Sequence, residues 1–366
     1  MNEIKVKIPA VKASSYTIKI GANILESLWE QIDSAFKEHN KFVVTDSNLV
    51  SAGHLTKLIG QRDIETYVIE PPGETSKNIN TLTSIIEAME KACLGRDTVV
   101  IALGGGTVGD IAGFAASIFK RGVPVVQIPT TTVAQADSSV GGKTGVDSTI
   151  SKNAFGTFWH PAAVYIDVAL LDTLDDRQFR AGLVESVKHA LIADAKYFDY
   201  LETNIDAILQ REPDVLEKMA CFNCRIKASV AQADPMEKNQ RRMLNYGHTV
   251  GHAVESASGF DLLHGEAISI GIIAAGLIEI EMGLAKTDRL DRVKSILKKL
   301  NMPTTLPLAL TKGQILGIIR MDKKSVNKWP KFALIEKIGR IYRQNEQWAH
   351  DVDQQIVEKV LDKLYE

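Results

Sequence analysis

The chain has 366 residues, too many for one ordinary domain and few for three, so two domains are expected. Its hydrophobic content of 45% and charged content of 24% are those of a globular protein and argue against disorder or a fibre. A net charge of −2 gives no reason to expect nucleic acid or an anionic membrane surface as partner, so any basic site must be local. Met1 to Lys5 carry an early acid and no apolar core region, which argues against a signal or transit peptide. The apolar run Ala267 to Ile278 is interrupted by Ser269, Gly271 and Gly276. It falls short of the roughly 20 residues that a membrane span needs. With only three cysteines, structural disulfides are not expected and a cytoplasmic location is.

In chain order, the first half alternates short β-rich runs with helical patterns. Strands are predicted at Phe42–Thr45, Thr66–Ile69, Thr98–Leu103, Val123–Ile128 and Val164–Ile166, with helices between them such as Asn78–Cys93 and Val108–Phe119. Strands alternating with helices indicate a parallel α/β sheet. From about Asp175 the 3.6-residue period takes over: Arg177–Ala193, Pro213–Ala233, Arg241–Ala257, Gly265–Gly283 and Thr287–Leu300. One late β-like stretch surrounds Phe332–Ile335. The expected fold class is an α/β N-terminal dinucleotide-binding domain, residues 1–170, followed by a mainly α-helical domain, residues 171–366. The cleft between them is the expected site. Cys221 and Cys224 fall inside the helical pattern Asp214–Ala233, without a second pair, and read as two small helix residues rather than a redox or zinc motif.

Three constellations carry chemistry. Strand Thr98–Leu103 runs into Gly104-Gly105-Gly106-Thr107-Val108-Gly109-Asp110 and then a helix, so Gly104, Gly106 and Gly109 satisfy G-x-G-x-x-G. A turn without side chains lets backbone N–H groups and a helix N-terminus approach a pyrophosphate. This is not the first strand, and no acid follows about 20 residues on, so ribose contacts are sought at earlier strand ends, in Asp46-Ser47-Asn48 and Glu74-Thr75-Ser76-Lys77. The second constellation is basic. Asp137 to Gly145, holding Lys143, and the pair Lys152-Asn153 read as a loop holding ammonium groups. Together with Arg121, Lys188, Lys227 and Arg241 they would bind a carboxylate and a phosphate if they converge. The third is a metal candidate. His248 and His252 lie at i and i+4 on one helix face, His264 opens the next helix, and Glu185 stands upstream. Spacing favours His248 and His252 first, with His264 and Glu185 as competitors.

Taken together these segments resemble the 3-dehydroquinate synthases of the sugar phosphate cyclase superfamily. The resemblance rests on Gly104–Asp110, Arg121-Gly122, Ile128–Thr131, Asp137–Lys143, Lys152-Asn153, Ala181–His189, Asn245–His252, His264–Ala267 and Asp322-Lys323-Lys324, and covers nearly the whole chain. It implies a lyase of the shikimate pathway, a homodimer, tightly bound NAD and a zinc or cobalt ion. By position, the implied metal ligands are Glu185, His248 and His264, which moves His252 from ligand to substrate site. The implied NAD contacts are Asp46, Asn48, Glu74, Lys77, Gly105, Gly106, Thr107, Asp110, Thr130, Thr131 and Thr173, with Lys143 and Lys152 serving both cofactor and substrate. The implied substrate and catalytic residues are Asp137, Lys143, Lys152, Asn153, Lys188, Lys227, Arg241, Asn245 and His252. Arg121 is expected to reach phosphate across a dimer interface, with Lys324, or its neighbour Lys323, on the same phosphate.

Two positions depart from the family's usual pattern. Thr149-Ile150-Ser151 stand where members often have Pro-Leu-Gly, and Met321 where they often have arginine; neither removes a charged group assigned above. The resemblance implies conversion of 3-deoxy-D-arabino-heptulosonate 7-phosphate to 3-dehydroquinate and phosphate. The implied steps are transient oxidation by NAD, phosphate elimination, re-reduction and intramolecular aldol closure. A sister cyclase would differ in the carboxylate-binding lysines and the Gly-Gly-Lys loop. A metal-dependent alcohol dehydrogenase would have no use for so many anion-binding cations and would accumulate NADH. A non-catalytic NAD- or metal-binding protein would not need the intact basic set.

Overall fold

The computed structural model describes residues 15–259, 261–321 and 329–365. In the first half, chain order runs β1 (Thr17–Gly21), α1 (Leu25–Ala35), β2 (Asn40–Asp46), α2 (Ser47–Ser51), α3 (His54–Ile59), β3 (Thr66–Ile69), α4 (Ile79–Lys91), β4 (Thr98–Gly104), α5 (Gly106–Ile118), β5 (Val125–Pro129), β6 (Lys143–Val146), β7 (Phe155–Phe158) and β8 (Ala163–Asp167). Six strands form one sheet in the order β1-β8-β5-β4-β2-β3, and every pairing in it is parallel. A parallel sheet is covered on both faces, so its strands read as unbroken apolar runs; Thr98-Val-Val-Ile-Ala-Leu-Gly104 is buried throughout. Val99, Ile101 and Leu103 face α1 and α3, while Val100 and Ala102 face α4 and α5, as the two-residue period of a strand requires.

The second half begins with α6 (Asp176–Ala193) and continues through α7 (Ala195–Thr203), α8 (Ile205–Leu209), α9 (Pro213–Ala233), α10 (His248–Ala257), α11 (His264–Glu281), α12 (Thr287–Lys299) and α13 (Lys312–Met321). A short hairpin of β9 (Ile335–Lys337) and β10 (Arg340–Ile341) precedes α14 (Gln354–Lys363). Local chemistry sets several boundaries. Asp175 caps α6 by accepting from the N–H groups of Arg177 and Gln178, and Pro213 opens α9 with its fixed φ. The core of this half is continuous with Val164 and Ile166 of β8, so the two halves share packing. α11 is apolar on all sides because it runs through the middle. Glycine lets it do so: a Cβ on Gly265 would fall 1.8 Å from the Ala181 carbonyl oxygen, and one on Gly271 would fall 2.0 Å from that of Gly247.

The element types expected from the sequence are present, alongside others it did not predict, such as β7, α7, α13 and α14; three differences bear on the site. The edge strand β1 was not expected; pairing with β8 makes it a strand. The stretch from Asp137 to Gly145, expected as loop, ends in β6, which pairs antiparallel with β7; Val146 is buried beneath this hairpin. The single helix expected from Arg241 to Ala257 is broken. A 3₁₀ turn covers Gln240–Asn245, Gly247 takes φ 76°, and α10 starts afresh at His248. The glycine is needed there for conformation and for space, since an added Cβ would meet the Ile272 nitrogen at 2.9 Å.

Candidate active site

The sheet reverses its strand order between β2 and β4, and ligands of open α/β sheets bind outside the carboxyl ends at such a point. Asp46 ends β2, and Gly104 to Gly106 lead from β4 into α5. No side chain caps α5, so its first-turn N–H groups are left for an anion. The glycines also serve packing: a Cβ on Gly104 would strike Val108 at 2.5 Å, and one on Gly105 would meet Thr131 at 2.9 Å. Asp46 accepts the N–H groups of Asn48 and Leu49 and so shapes the start of α2. Thr130 is buried where β5 ends, and its N–H donates to the Gly104 carbonyl. Thr173 lies 2.6 Å from the Nε2 of the buried His54.

Beside this turn, loop side chains form a charged lattice. The Lys77 ammonium lies 2.7 Å from Asp110 and donates to Asn153 Oδ1 at 2.7 Å. Thr107 donates to Glu74 at 3.0 Å, and Glu74 pairs with Lys152 at 3.4 Å. Lys152 also reaches Glu255 of α10 at 2.9 Å, which ties the sheet half to the helical half. Burial would lower Lys77, but Asp110 and Glu74 outweigh it and hold its pKa above the usual lysine range.

In the helical half the charges are deep. Glu185 and Lys188, on adjacent turns of α6, form an ion pair with both side chains 1% exposed. Lys227 of α9 pairs with Asp137, which sits on the turn after β5. Burial would raise Asp137, but Lys227 and Lys188 hold its pKa well below the ordinary carboxylate range. Arg241, buried, donates to the Gly141 carbonyl at 3.0 Å and the Pro235 carbonyl at 3.1 Å, which braces the turn before Lys143. Lys143 itself pairs with Glu237. Asn245 is half-buried one turn before His248. His252 is exposed, its ring centroid 5.0 Å from that of His248. Arg121 stands exposed at φ 73° after α5, and among the described residues no ion pair joins it to this set. Lys323 and Lys324 lie outside the described residues.

The imidazoles can be oriented from their partners. His248 Nδ1 lies 3.0 Å from the Tyr246 carbonyl, which can only accept, so Nδ1 carries the hydrogen and Nε2 keeps a lone pair. His264 Nδ1 lies 3.3 Å from the Glu255 carboxylate, which likewise can only accept, so Nε2 is the atom left to bind a metal once the ring gives up its second proton. The two Nε2 atoms are 3.6 and 3.5 Å from Glu185 Oε1, a buried oxygen without a hydrogen-bond partner in the described structure. Two ligand atoms about 2.1 Å from one ion at the tetrahedral angle stand about 3.4 Å apart. The spacing and the orphaned oxygen both fit a divalent cation. His248, His252 and His264 also lie close enough together to share an ion, as do Asp137, Glu185 and His189. Two groups in this region were missed from the sequence. Glu255 carried a signal, since it follows His248 by seven residues on the same helix face. The buried His189, 3.5 Å from Asp137 and bonded to Asn223 at 3.1 Å, carried none beyond its place after Lys188.

Comparison with solved structures defines the class first. Over 98% of the chain and 99% of its counterpart, the fold superposes with TM-score 0.87 and 29% identity on a 2-epi-5-epi-valiolone synthase from Streptomyces hygroscopicus subsp. jinggangensis, solved with NAD+ and Zn2+ bound. A 2-deoxy-scyllo-inosose synthase, solved with carbaglucose-6-phosphate, NAD+ and Co2+, follows at TM-score 0.84 and 28% identity over 94% of the chain and 96% of its own. An iron-containing alcohol dehydrogenase shares the fold at TM-score 0.69 and 15% identity over 96% of the chain and 97% of its own. The fold is that of the sugar phosphate cyclase superfamily. Within it, the family model for the 3-dehydroquinate synthase N-terminal region matches residues 67–181, and that for the C-terminal region matches residues 182–325. The 3-dehydroquinate synthase of Symbiobacterium thermophilum is 42% identical over 84% of this chain and 88% of its own, and that of Ruminiclostridium cellulolyticum 41% over 96% and 97%. The chain belongs to the 3-dehydroquinate synthase family, lyases of the shikimate pathway that act on a sugar phosphate. No described helix is long and apolar enough to cross a membrane.

Proposed function

We propose that this chain converts 3-deoxy-D-arabino-heptulosonate 7-phosphate to 3-dehydroquinate and phosphate as a cytoplasmic homodimer, with NAD and a zinc or cobalt ion as resident cofactors. The observation that carries the reading is the buried Glu185 Oε1, without a hydrogen-bond partner in the described structure and faced by two imidazole nitrogens, while the Lys188 ammonium pairs with the other oxygen of the same carboxylate. In this reading residues 1–170 hold the dinucleotide and residues 171–366 the metal and most of the substrate. Glu185, His248 and His264 hold the ion. Asp46, Asn48, Glu74, Lys77, Gly105, Gly106, Thr107, Asp110, Thr130, Thr131 and Thr173 would hold NAD.

When bound, NAD supplies reversible hydride removal at one carbinol and the metal supplies Lewis-acid polarisation of neighbouring substrate oxygens, which makes phosphate elimination and aldol closure possible without net NADH. The remaining work falls to the chain's own side chains. Lys152, Lys188 and Lys227 bind the substrate carboxylate and stabilise negative charge as it develops. Arg241 and Asn245 fix the ring, and Lys143 and Asn153 close over it from the β6–β7 side. Arg121 from the second subunit and Lys324 hold the departing phosphate. Asp137, kept ionised by Lys227, and His252, exposed at the rim, are the candidates for relaying a proton through water.

The test is to mix protein, NAD, zinc and 3-deoxy-D-arabino-heptulosonate 7-phosphate, following phosphate release and absorbance at the NADH band, with a chelator-treated control. Phosphate release without net NADH, lost with chelator, is the expected outcome. Rising NADH without phosphate would move the chain to the dehydrogenases.

A further inference from the structure

The metal reading leaves the buried carboxylate beside His264 without a role. Glu255, on α10, is 5% exposed, and its two oxygens are divided between the halves of the molecule. Oε1 accepts from the Lys152 ammonium at 2.9 Å, and Oε2 lies 3.3 Å from His264 Nδ1. Lys152 belongs to the loop between β6 and β7, and His264 opens α11. One carboxylate therefore touches a loop cation and an imidazole whose other nitrogen faces Glu185 at 3.5 Å.

His264 needs this support more than its neighbour does. His248 is oriented by the Tyr246 carbonyl two residues away, within its own turn. His264 has the Glu255 carboxylate on Nδ1, and its side chain is 34% exposed against 12% for His248. An imidazole that exposed keeps rotameric freedom, and can present either nitrogen, unless something holds it. A carboxylate on one ring nitrogen selects the tautomer, raises the basicity of the other, and fixes the ring plane. Glu255 is well placed to do this, because α10 also carries His248 and packs against α11 through Gly251 and Gly271.

We propose that Glu255 is a positioning residue that orients His264 for the metal. The proposal rests on the metal set Glu185, His248 and His264 argued above. A simpler role, in which Glu255 only neutralises Lys152, makes a different forecast for metal affinity.

The experiment measures zinc and cobalt dissociation constants by competition with a chromophoric chelator. It uses metal-stripped wild type, Glu255→Ala, Glu255→Gln and Lys152→Ala, together with thermal melting of each metal-free protein and the visible spectrum of each cobalt form. Glu255→Ala is expected to weaken metal binding by about 10- to 100-fold. Glu255→Gln keeps one acceptor oxygen without the charge, so it should lose less and still shift the cobalt spectrum, which also guards against a misfolded alanine variant. Lys152→Ala should leave metal affinity within about threefold of wild type, because His264 keeps its partner. Wild type that binds no metal would overturn the metal reading and this proposal with it. Wild type that binds, with both Glu255 variants binding equally well and an unchanged cobalt spectrum, would overturn this proposal alone. So would a loss in Lys152→Ala equal to that in Glu255→Ala, since the ion pair and not the imidazole would then be responsible.

Discussion

In the helical half, Glu185, Lys188 and Lys227 project from α6 and α9 and are almost wholly buried, each against a charge of opposite sign. In the sheet half, Lys143 and Lys152 are 49% and 35% exposed, carried by a hairpin and the loop at its tip. Charges on long packed helices are held in place before any ligand arrives, and removing one partner leaves the other uncompensated. Charges on loops are screened by solvent, move more, and contribute mainly when a ligand draws them in. The reaction proposed here needs both kinds: a rigid centre that polarises and stabilises charge, and an adjustable rim that admits and encloses a substrate.

That contrast is tested most strongly by Glu185→Gln. Loss of the one anionic ligand should abolish stoichiometric metal binding and lower turnover by about 1000-fold or more, read by phosphate release and metal analysis. Retention of both would break the contrast at its centre. Next is Gly265→Ala, which places a methyl group into the Ala181 carbonyl; it should destabilise the protein by about 3 kcal/mol, seen as a lowered midpoint in urea. An unchanged midpoint would mean that the approach of α11 to α6 is not tight.

A pH titration of metal affinity sharpens the same point. Burial would lower His264, but the Glu185 and Glu255 carboxylates on its two nitrogens raise its pKa to about 9 in the metal-free protein. Its ion pairs therefore stabilise the metal-free fold fully below the ordinary value of 6.5, and that contribution is lost as pH rises through about 9. Metal must displace this proton, so affinity should fall by about tenfold per pH unit below 9. A flat profile would show that no proton is released. In the sheet half, Lys152→Ala should raise KM by about tenfold while changing stability by no more than about 0.5 kcal/mol. A large fall in melting temperature would place Lys152 with the buried set. The smallest effect is expected from Cys221→Ser on α9, a half-buried thiol with no part in the site. Activity and metal content should match wild type, and a loss of either would revive the C-x-x-C pair as a functional motif.

The sequence by itself determined the succession of elements, because strand and helix periods differ and a covered parallel sheet demands apolar runs such as Thr98 to Gly104. It also determined the glycine turn and the presence of an anion-binding set in a near-neutral chain. The tertiary structure decided what distance in sequence conceals. Periodicity continued across Gly247, where the backbone turns left-handed and begins a new helix. The His248–His252 spacing pointed to one face of one helix; packing also brings Glu185 and His264, from two other helices that glycines allow to touch, up to His248. Glu255 and His189 gained meaning only from the groups packed against them. Local chemistry fixes which element a residue joins; close packing of distant elements fixes which charges meet.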